Sequence, residues 1–398
     1  MKYFSLLTAA LFSLGLSAST FVEDALKPYV ESGELPGAVA ILIKPGAEEV
    51  ACLGFADVDK GRKITLDDPF MQCSQTKGFC GVVVAKLVED GVMSLEDPVS
   101  KYLPEFGTLW INAGVKDDVK TLVKARNVLT VKNVLNHTGG FPFEICCKQA
   151  WIRGGGWSGG APLRSVASIA ANSPILFEPG TRQQYSNTGI DIAAACAEVA
   201  TGKKFEVLVK EIITDPLEMK KTTFKPTEEQ IARKIEMYDC GVGRKATWRA
   251  EDPWEQRPYN DDHVFTSAGA GIWTTTRDQV KFYKMLMNLG LGDNGVRVLK
   301  EETVKSILAV STRGAMAGGY SLGLVAPPED NENGWFGHGG AFGTNCMVNY
   351  HKGELKLWVV QLRGGFRAFE NVFNEAADKF FAETIDNSQA EAYTGRTE

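Results

Sequence analysis

The chain has 398 residues, 44% hydrophobic and 23% charged, the proportions of an ordinary globular protein. Its formal net charge is -6, and no basic stripe interrupts the sequence, which argues against a nucleic-acid partner. A chain of this length exceeds the usual size of one compact core, so two lobes are expected.

The chain opens on Met1-Lys2-Tyr3, an apolar run over 4–16 and the small residues Ser17-Ala18-Ser19. That order reads as a signal peptide over 1–19, cleaved near Ser19. No later stretch is long and apolar enough to span a bilayer. The expectation is a periplasmic or secreted protein with no stable membrane insertion after signal cleavage. Residues 20–33 then read as a helix, 38–44 as a strand, Pro45-Gly46 as a turn and 49–57 as a second strand.

Next, Asp67-Asp68-Pro69-Phe70-Met71 reads as extended and leads into Gln72-Cys73-Ser74-Gln75-Thr76-Lys77. Phe79, Val82, Val83, Leu87 and Val88 follow at helical spacing, with Val84 and Ala85 on the other side. A helix starting at Ser74 and buried nearly all round is therefore expected. Such a start puts Ser74 and Lys77 on one face, one turn apart. The helix dipole would favour a developing alkoxide on Ser74, and the serine's unpaired N–H could donate to an oxyanion. An apolar setting would penalise the ammonium form of Lys77 and make it a base for the serine. By itself, Ser-x-x-Lys is equally a helix cap beside a surface lysine.

Residues 93–275 are richer in helical pattern and glycine loops than in strands. Thr276-Arg277-Asp278-Gln279 reads as a capping box opening a helix to Leu289. Strands are expected over 345–350 and 355–362, then a closing helix over 368–381 and a polar tail over 386–398. Strands at both chain ends predict an α/β (α+β) fold with a mixed, mainly antiparallel sheet flanked by helices. The sheet lobe comprises 20–92 and 276–385, with 93–275 inserted as a mainly helical lobe. The eight cysteines leave room for one or two disulfides without indicating pairs, and the four histidines show no ligand spacing. No metal and no cofactor are expected.

Two further stretches carry chemistry. In Tyr185-Ser186-Asn187, a tyrosine beside Lys77 would share one proton with it, and either group would then serve as the base. Asn187 can donate to a substrate carbonyl or accept from Lys77. The bland alternative is a polar turn opening a helix over 190–200. In Gly337-His338-Gly339-Gly340-Ala341, the glycines allow close approach to a ligand, and the Ala341 N–H could complete an oxyanion hole with that of Ser74. Gly156-Trp157-Ser158-Gly159-Gly160 matches the Gly-x-Ser-x-Gly elbow, but glycines on both sides replace the strand and helix an elbow needs. Ser158 is read as part of a loop bordering the substrate cleft.

Taken together, Ser74-Gln75-Thr76-Lys77, Tyr185-Ser186-Asn187 and His338-Gly339-Gly340 resemble the motifs of the serine β-lactamase and penicillin-recognising D,D-peptidase superfamily. The likeness is to its class C-like branch, which includes family VIII carboxylesterases. Val134-Leu135-Asn136-His137-Thr138-Gly139-Gly140 resembles that branch's His-Thr-Ser-Gly loop, and Asp215-Pro216-Leu217-Glu218-Met219 its Asp-Pro-Leu-Gly-Met turn. The resemblance spans about residues 26–362 and implies a β-lactamase/transpeptidase-like fold. It further implies Ser74 as acylated nucleophile, Lys77 with Tyr185 as proton-transfer pair, and the Ser74 and Ala341 N–H groups as oxyanion hole. Asn187, His338, Gly339 and Gly340 would bind substrate. His338 stands where class C β-lactamases carry lysine, and a mostly neutral imidazole is a poor anchor for a β-lactam carboxylate. The expected activity is a cofactor-free serine hydrolase acting on a small ester, amide or β-lactam, with peptidoglycan peptides as a further substrate class. Esters rank first, D-amino-acid peptides second and β-lactams third. A non-catalytic β-lactam or peptidoglycan sensor is the reading from another class.

Overall fold

A computed structural model describes residues 21–143, 161–248, 265–309, 312, 319–326 and 334–383. The leader expected over 1–19, the Cys146-Cys147 pair, the Ser158 loop, His263 and the tail over 386–398 lie outside the described residues.

The run Gly37-Ala38-Val39-Ala40-Ile41-Leu42-Ile43 is apolar at both strand parities, which suits a strand buried on both faces. It forms β1 (Gly37–Lys44), paired with β2 (Ala47–Asp57), and β2 carries the short β3 (Arg62–Lys63). Phe70–Met71 is β4, Trp110–Lys116 β5, Val119–Lys124 β6, Tyr238–Gly241 β7, Arg244–Trp248 β8 and Trp273–Thr274 β9. The far end of the chain supplies β10 (Phe336–Gly339), β11 (Asn345–Asn349) and β12 (Glu354–Val359). The main sheet is ordered β10-β11-β12-β1-β2-β3, with every pairing antiparallel. It is thus built from both ends of the chain, with Val39 opposite Val359 on one side and Cys52 on the other.

Alternation sorts the β1 side chains into two layers. Ala38, Ala40 and Leu42 pack with Trp358 beneath the helices Phe21–Glu31 and Phe366–Ala382, against Leu26, Phe369 and Phe373. Val39, Ile41, Leu357 and Val359 face the main core. There Phe79 of the helix Thr76–Glu89 stacks on Phe282 of the helix Thr276–Met287, with centroids 4.0 Å apart. The Thr76–Glu89 helix is buried at every residue from Thr76 to Ala85, as its uninterrupted apolar content foretells. Gly81 lets it press on the chain at Leu322, whose carbonyl a Cβ would overlap. Among the described residues no helix is long and apolar enough to cross a membrane.

Several details differ from expectation. The serine helix begins with a 3-10 turn, Cys73–Gln75, and becomes α-helical at Thr76. Cys73 sits at φ 49°, so the chain enters through a left-handed residue rather than a simple polar cap. The later helix is capped by Thr275, whose hydroxyl accepts from Asp278 N–H, not by Thr276. Three consecutive threonines made the register ambiguous. The hairpins β5–β6 and β7–β8 were not foreseen. In β5–β6 nearly every side chain is exposed, so no alternation marks it. The residues at 336–339 form the edge strand β10, with Gly340 and Ala341 following it before β11. The six described cysteines form no disulfide.

Gly81→Ala is expected to lower stability by about 2 kcal/mol through overpacking against backbone that has no room to shift. The check is a lower denaturant midpoint at an unchanged m value. An unchanged midpoint would show that the helix and the Leu322 segment can separate freely.

Candidate active site

The 3-10 turn places Ser74 one turn before Lys77, and the lysine chain runs inward rather than to solvent, with 0% of its surface exposed. Lys77 Nζ lies 3.0 Å from Ser74 Oγ, 2.6 Å from Asn187 Oδ1 and 2.7 Å from the Gly269 carbonyl. A lysine nitrogen carries no more than three donors, so this set saturates its ammonium form. In the neutral form, Nζ keeps a lone pair that can face the serine. Desolvation brings the Lys77 pKa down from 10.5 to about 7, against the opposing field of the buried Asp191 carboxylate.

Tyr185 and Asn187 straddle Ser186, the N-cap of the helix Asn187–Thr201. The Ser186 hydroxyl accepts from Gly189 N–H and donates to the Pro142 carbonyl. The polar-turn reading of this triplet therefore holds, and the same turn brings Tyr185 and Asn187 to Lys77. The Tyr185 hydroxyl hydrogen-bonds Ser74, and its ring lies 4.6 Å from Lys77 Nζ. Burial pushes the Tyr185 phenol well above its usual value of 10. Desolvation thus drives both partners toward their neutral forms, which favours the lysine over a phenolate as proton acceptor.

The third motif sits across from Ser74. Gln75 Nε2 donates to the His338 carbonyl at 3.0 Å, and the Thr344 hydroxyl reaches the Gln72 carbonyl at 3.4 Å. A Cβ on Gly340 would overlap that same Gln72 carbonyl, so the turn carrying Gly340 and Ala341 lies directly on the strand-to-helix entry of the serine. His338 is buried. A carbonyl only accepts, so the 2.6 Å contact of Nδ1 with Gly339 O puts the proton on Nδ1, and Nε2 accepts from Tyr320 Oη at 2.9 Å. Burial and the nearby lysine hold the His338 pKa at about 3. The ring is a neutral wall rather than a charge.

The Beta-lactamase family model matches residues 22–365. The chain belongs to the beta-lactamase family. An uncharacterized protein of Mycobacterium tuberculosis is 24% identical over 363 residues, covering 85% of this chain and 89% of its own. The simvastatin synthase LovD of Aspergillus terreus, in a mutant form, superposes with TM-score 0.73 at 21% identity, over 93% of this chain and 100% of its own. EstCE1, described as a hydrolase with promiscuous acyltransferase activity, gives TM-score 0.68 at 17% identity, over 90% and 97% of the two chains. Of the residues expected from the motifs, Ser74, Lys77, Tyr185 and Asn187 are joined by hydrogen bonds, the His338 ring lies 6.1 Å from that of Tyr185, Gly340 abuts the Gln72 carbonyl, and Ala341 is an exposed turn residue.

Four members of the site were missed. Asp191 lies one turn beyond Asn187 and is the one charged residue in the otherwise apolar stretch 189–197, a signal that the i,i+4 spacing could have flagged. Gly269 contributes only its backbone, and Tyr320 reaches the site from a segment with no pattern. His137 is also drawn in, at φ 64°, with its ring centroid 4.5 Å from that of Tyr185 and 4.3 Å from that of Tyr320. Its Nδ1 accepts from Ser186 N–H, so the proton sits on Nε2, which is buried without a partner.

Burial keeps both histidines neutral in the folded chain, with pKa values lowered below 6.5. The unfolded chain takes up protons that the folded one refuses, so both rings remove stability as pH falls below about 6.5. Histidine-selective 1H–15N spectra are expected to show His338 as an unchanging Nδ1–H tautomer from about pH 8 to about pH 5. A His338 signal titrating near 6.5 would mean the ring meets water.

Proposed function

We propose that this protein is an exported serine hydrolase that works through an acyl-enzyme on Ser74, with small neutral esters as its preferred substrates. The observation that carries the reading is the buried Lys77 amine, 3.0 Å from Ser74 Oγ and titrating near neutrality. Ser74 Oγ attacks the substrate carbonyl while Lys77 Nζ takes its proton. The carbonyl electron pair moves onto oxygen, where the Ser74 and Ala341 N–H groups receive it. Tyr185, bonded to Ser74, relays the proton from Lys77 to the departing alkoxide. Water then attacks the acyl carbonyl as the same base takes its proton, the acyl–Oγ bond breaks, Ser74 Oγ takes the proton back from Lys77, and the acid leaves. Asn187 orients Lys77 and the substrate carbonyl.

The preference for esters is supported by His338, which in the family's β-lactam-cleaving branch would be a lysine. A neutral imidazole with both nitrogens occupied offers no fixed cation for a β-lactam carboxylate. Cleavage of D-amino-acid peptides ranks second and β-lactams third. The basic start, apolar run and small residues over 1–19 support export, to be checked by the mass and location of the mature chain.

Ser74→Ala is expected to abolish cleavage of a p-nitrophenyl ester, and Lys77→Ala and Tyr185→Phe to lower kcat by about 10²-fold or more. Ester turnover undiminished in Ser74→Ala would sink the mechanism. Faster cleavage of a chromogenic cephalosporin than of the ester would overturn the ranking of substrates. In a separate test, kcat/KM should fall as pH drops through about 7, where Lys77 gains its proton, and stay level just above it. A rate independent of pH between about 5 and 8 would remove Lys77 as the base.

A further inference from the structure

The acyl-transfer steps above leave unused a fully enclosed carboxylate. Asp191 is 6% exposed and makes no direct ion pair among the described residues. Its Oδ1 accepts from Gly269 N–H at 3.2 Å and from the Ser267 hydroxyl at 3.4 Å, and the Ala268 N–H also bonds to the carboxyl group. On the other side of the same residue, the Gly269 carbonyl accepts from Lys77 Nζ. Gly269 therefore links carboxylate and amine through its own N–H and C=O. It has room to do so only as glycine, because a Cβ would press into the Asn187 side chain. Asn187, which also accepts from Lys77, precedes Asp191 by one turn on the same helix face.

We propose that Asp191 is a positioning residue of the Ser74 site: its carboxylate clamps the 267–269 loop so that the Gly269 carbonyl holds Lys77 Nζ at Ser74 Oγ, and its negative charge sets the pH at which Lys77 becomes a proton acceptor. The inference rests on the acyl-enzyme reading of Ser74. The other titratable groups facing this pair are Cys73 and Cys80 beside Lys77 in the serine segment, Tyr185 before the Asn187 helix, His137, His338 and Tyr320. Burial keeps His137 and His338 unprotonated and raises Cys80, Tyr185 and Tyr320 above their usual values, so all five are uncharged near neutrality. Asp191 is the carboxylate that acts on Lys77, and its field favours the ammonium; burial raises its own pKa from 3.8 to about 7, so carboxylate and amine titrate as a pair near neutrality. Removing that charge must lower the pH at which Lys77 loses its proton.

The test uses the full mature chain and a fluorophosphonate probe. Ser74 Oγ bonds to phosphorus, fluoride leaves, and the serine proton passes to Lys77. The labelling rate is measured against pH by intact mass, beside ester turnover. Asp191→Asn keeps an acceptor oxygen for Ser267 and Gly269 but removes the charge. Its acid limb is expected to move about one unit toward lower pH in both assays, with KM little changed. Ser267→Ala, which takes one donor from the carboxyl group and so favours its neutral form, should move the limb the same way by less. A uniform loss of rate with no movement of the limb in Asp191→Asn would reduce the residue to structural support and overturn the proposal. Should that variant not fold, an unmoved limb in Ser267→Ala overturns it. A wild-type Ser74 that takes no label brings down the acyl-enzyme reading itself, whereas a labelled wild type with unmoved variants brings down only the role of Asp191.

Discussion

An amine drawn out of water at Lys77 is the constraint on which the rest of this site depends. A buried ammonium or amine needs acceptors, and here each comes from a different stretch of chain: Ser74 from its own turn, Asn187 from the start of a second helix, Gly269 from a distant loop. Those three stretches must be packed before the lysine is satisfied, so the site exists only in the folded protein. Burial also sets its protonation. The unfolded chain holds the Lys77 proton up to about pH 10, whereas the folded one releases it near 7. Between those values the unfolded state binds more protons, so this residue works against folding, and increasingly so as pH falls toward 7. A group that destabilises the fold yet is fully enclosed by it is the ordinary mark of a functional residue.

The sheet explains how such a cost is borne. Both chain ends supply strands to it, and β1, at its centre, is buried on both faces. This anchors two things that must meet: the Thr76–Glu89 helix, seated on the inner face through Phe79 and Phe282, and the edge strand β10 with its glycine turn. The bonds from Gln75 to His338 and from Thr344 to Gln72 then fix the distance between serine and turn. Movement of either element would misalign the two N–H groups assigned to the oxyanion, and such groups act through preorganisation.

Much of this was legible in the residues, for identifiable reasons. The β1 run, the apolar serine helix and the closing strands carry strong periodic signals because burial dictates them. The polar triplets stood out because their residue types suit one chemistry. What stayed hidden either lacks a side chain or lacks a pattern. Gly269 contributes a carbonyl, and Tyr320 lies in irregular chain. The hairpin β5–β6 is so exposed that nothing alternates along it. The 3-10 entry at Cys73 was hidden too, since its left-handed backbone is imposed by tertiary contacts rather than by residue preference.

The electrostatics of the finished site bear on what it can select. Its two imidazoles are held neutral by burial, one with both nitrogens occupied and the other wedged between phenol rings. The lysine proposed as the base is internal, saturated by protein acceptors, and shares its field with an enclosed carboxylate. A substrate entering the proposed site would therefore meet, among the groups described around Ser74, no fixed cation turned toward it. Desolvating an ionised carboxylate in such a cleft would go uncompensated, whereas a neutral ester gives up little hydration on entry. The exchange of lysine for histidine at 338 is thus more than a local change of shape. On the proposed reading, it shifts the selectivity of the cleft from charge toward fit and the reactivity of the carbonyl.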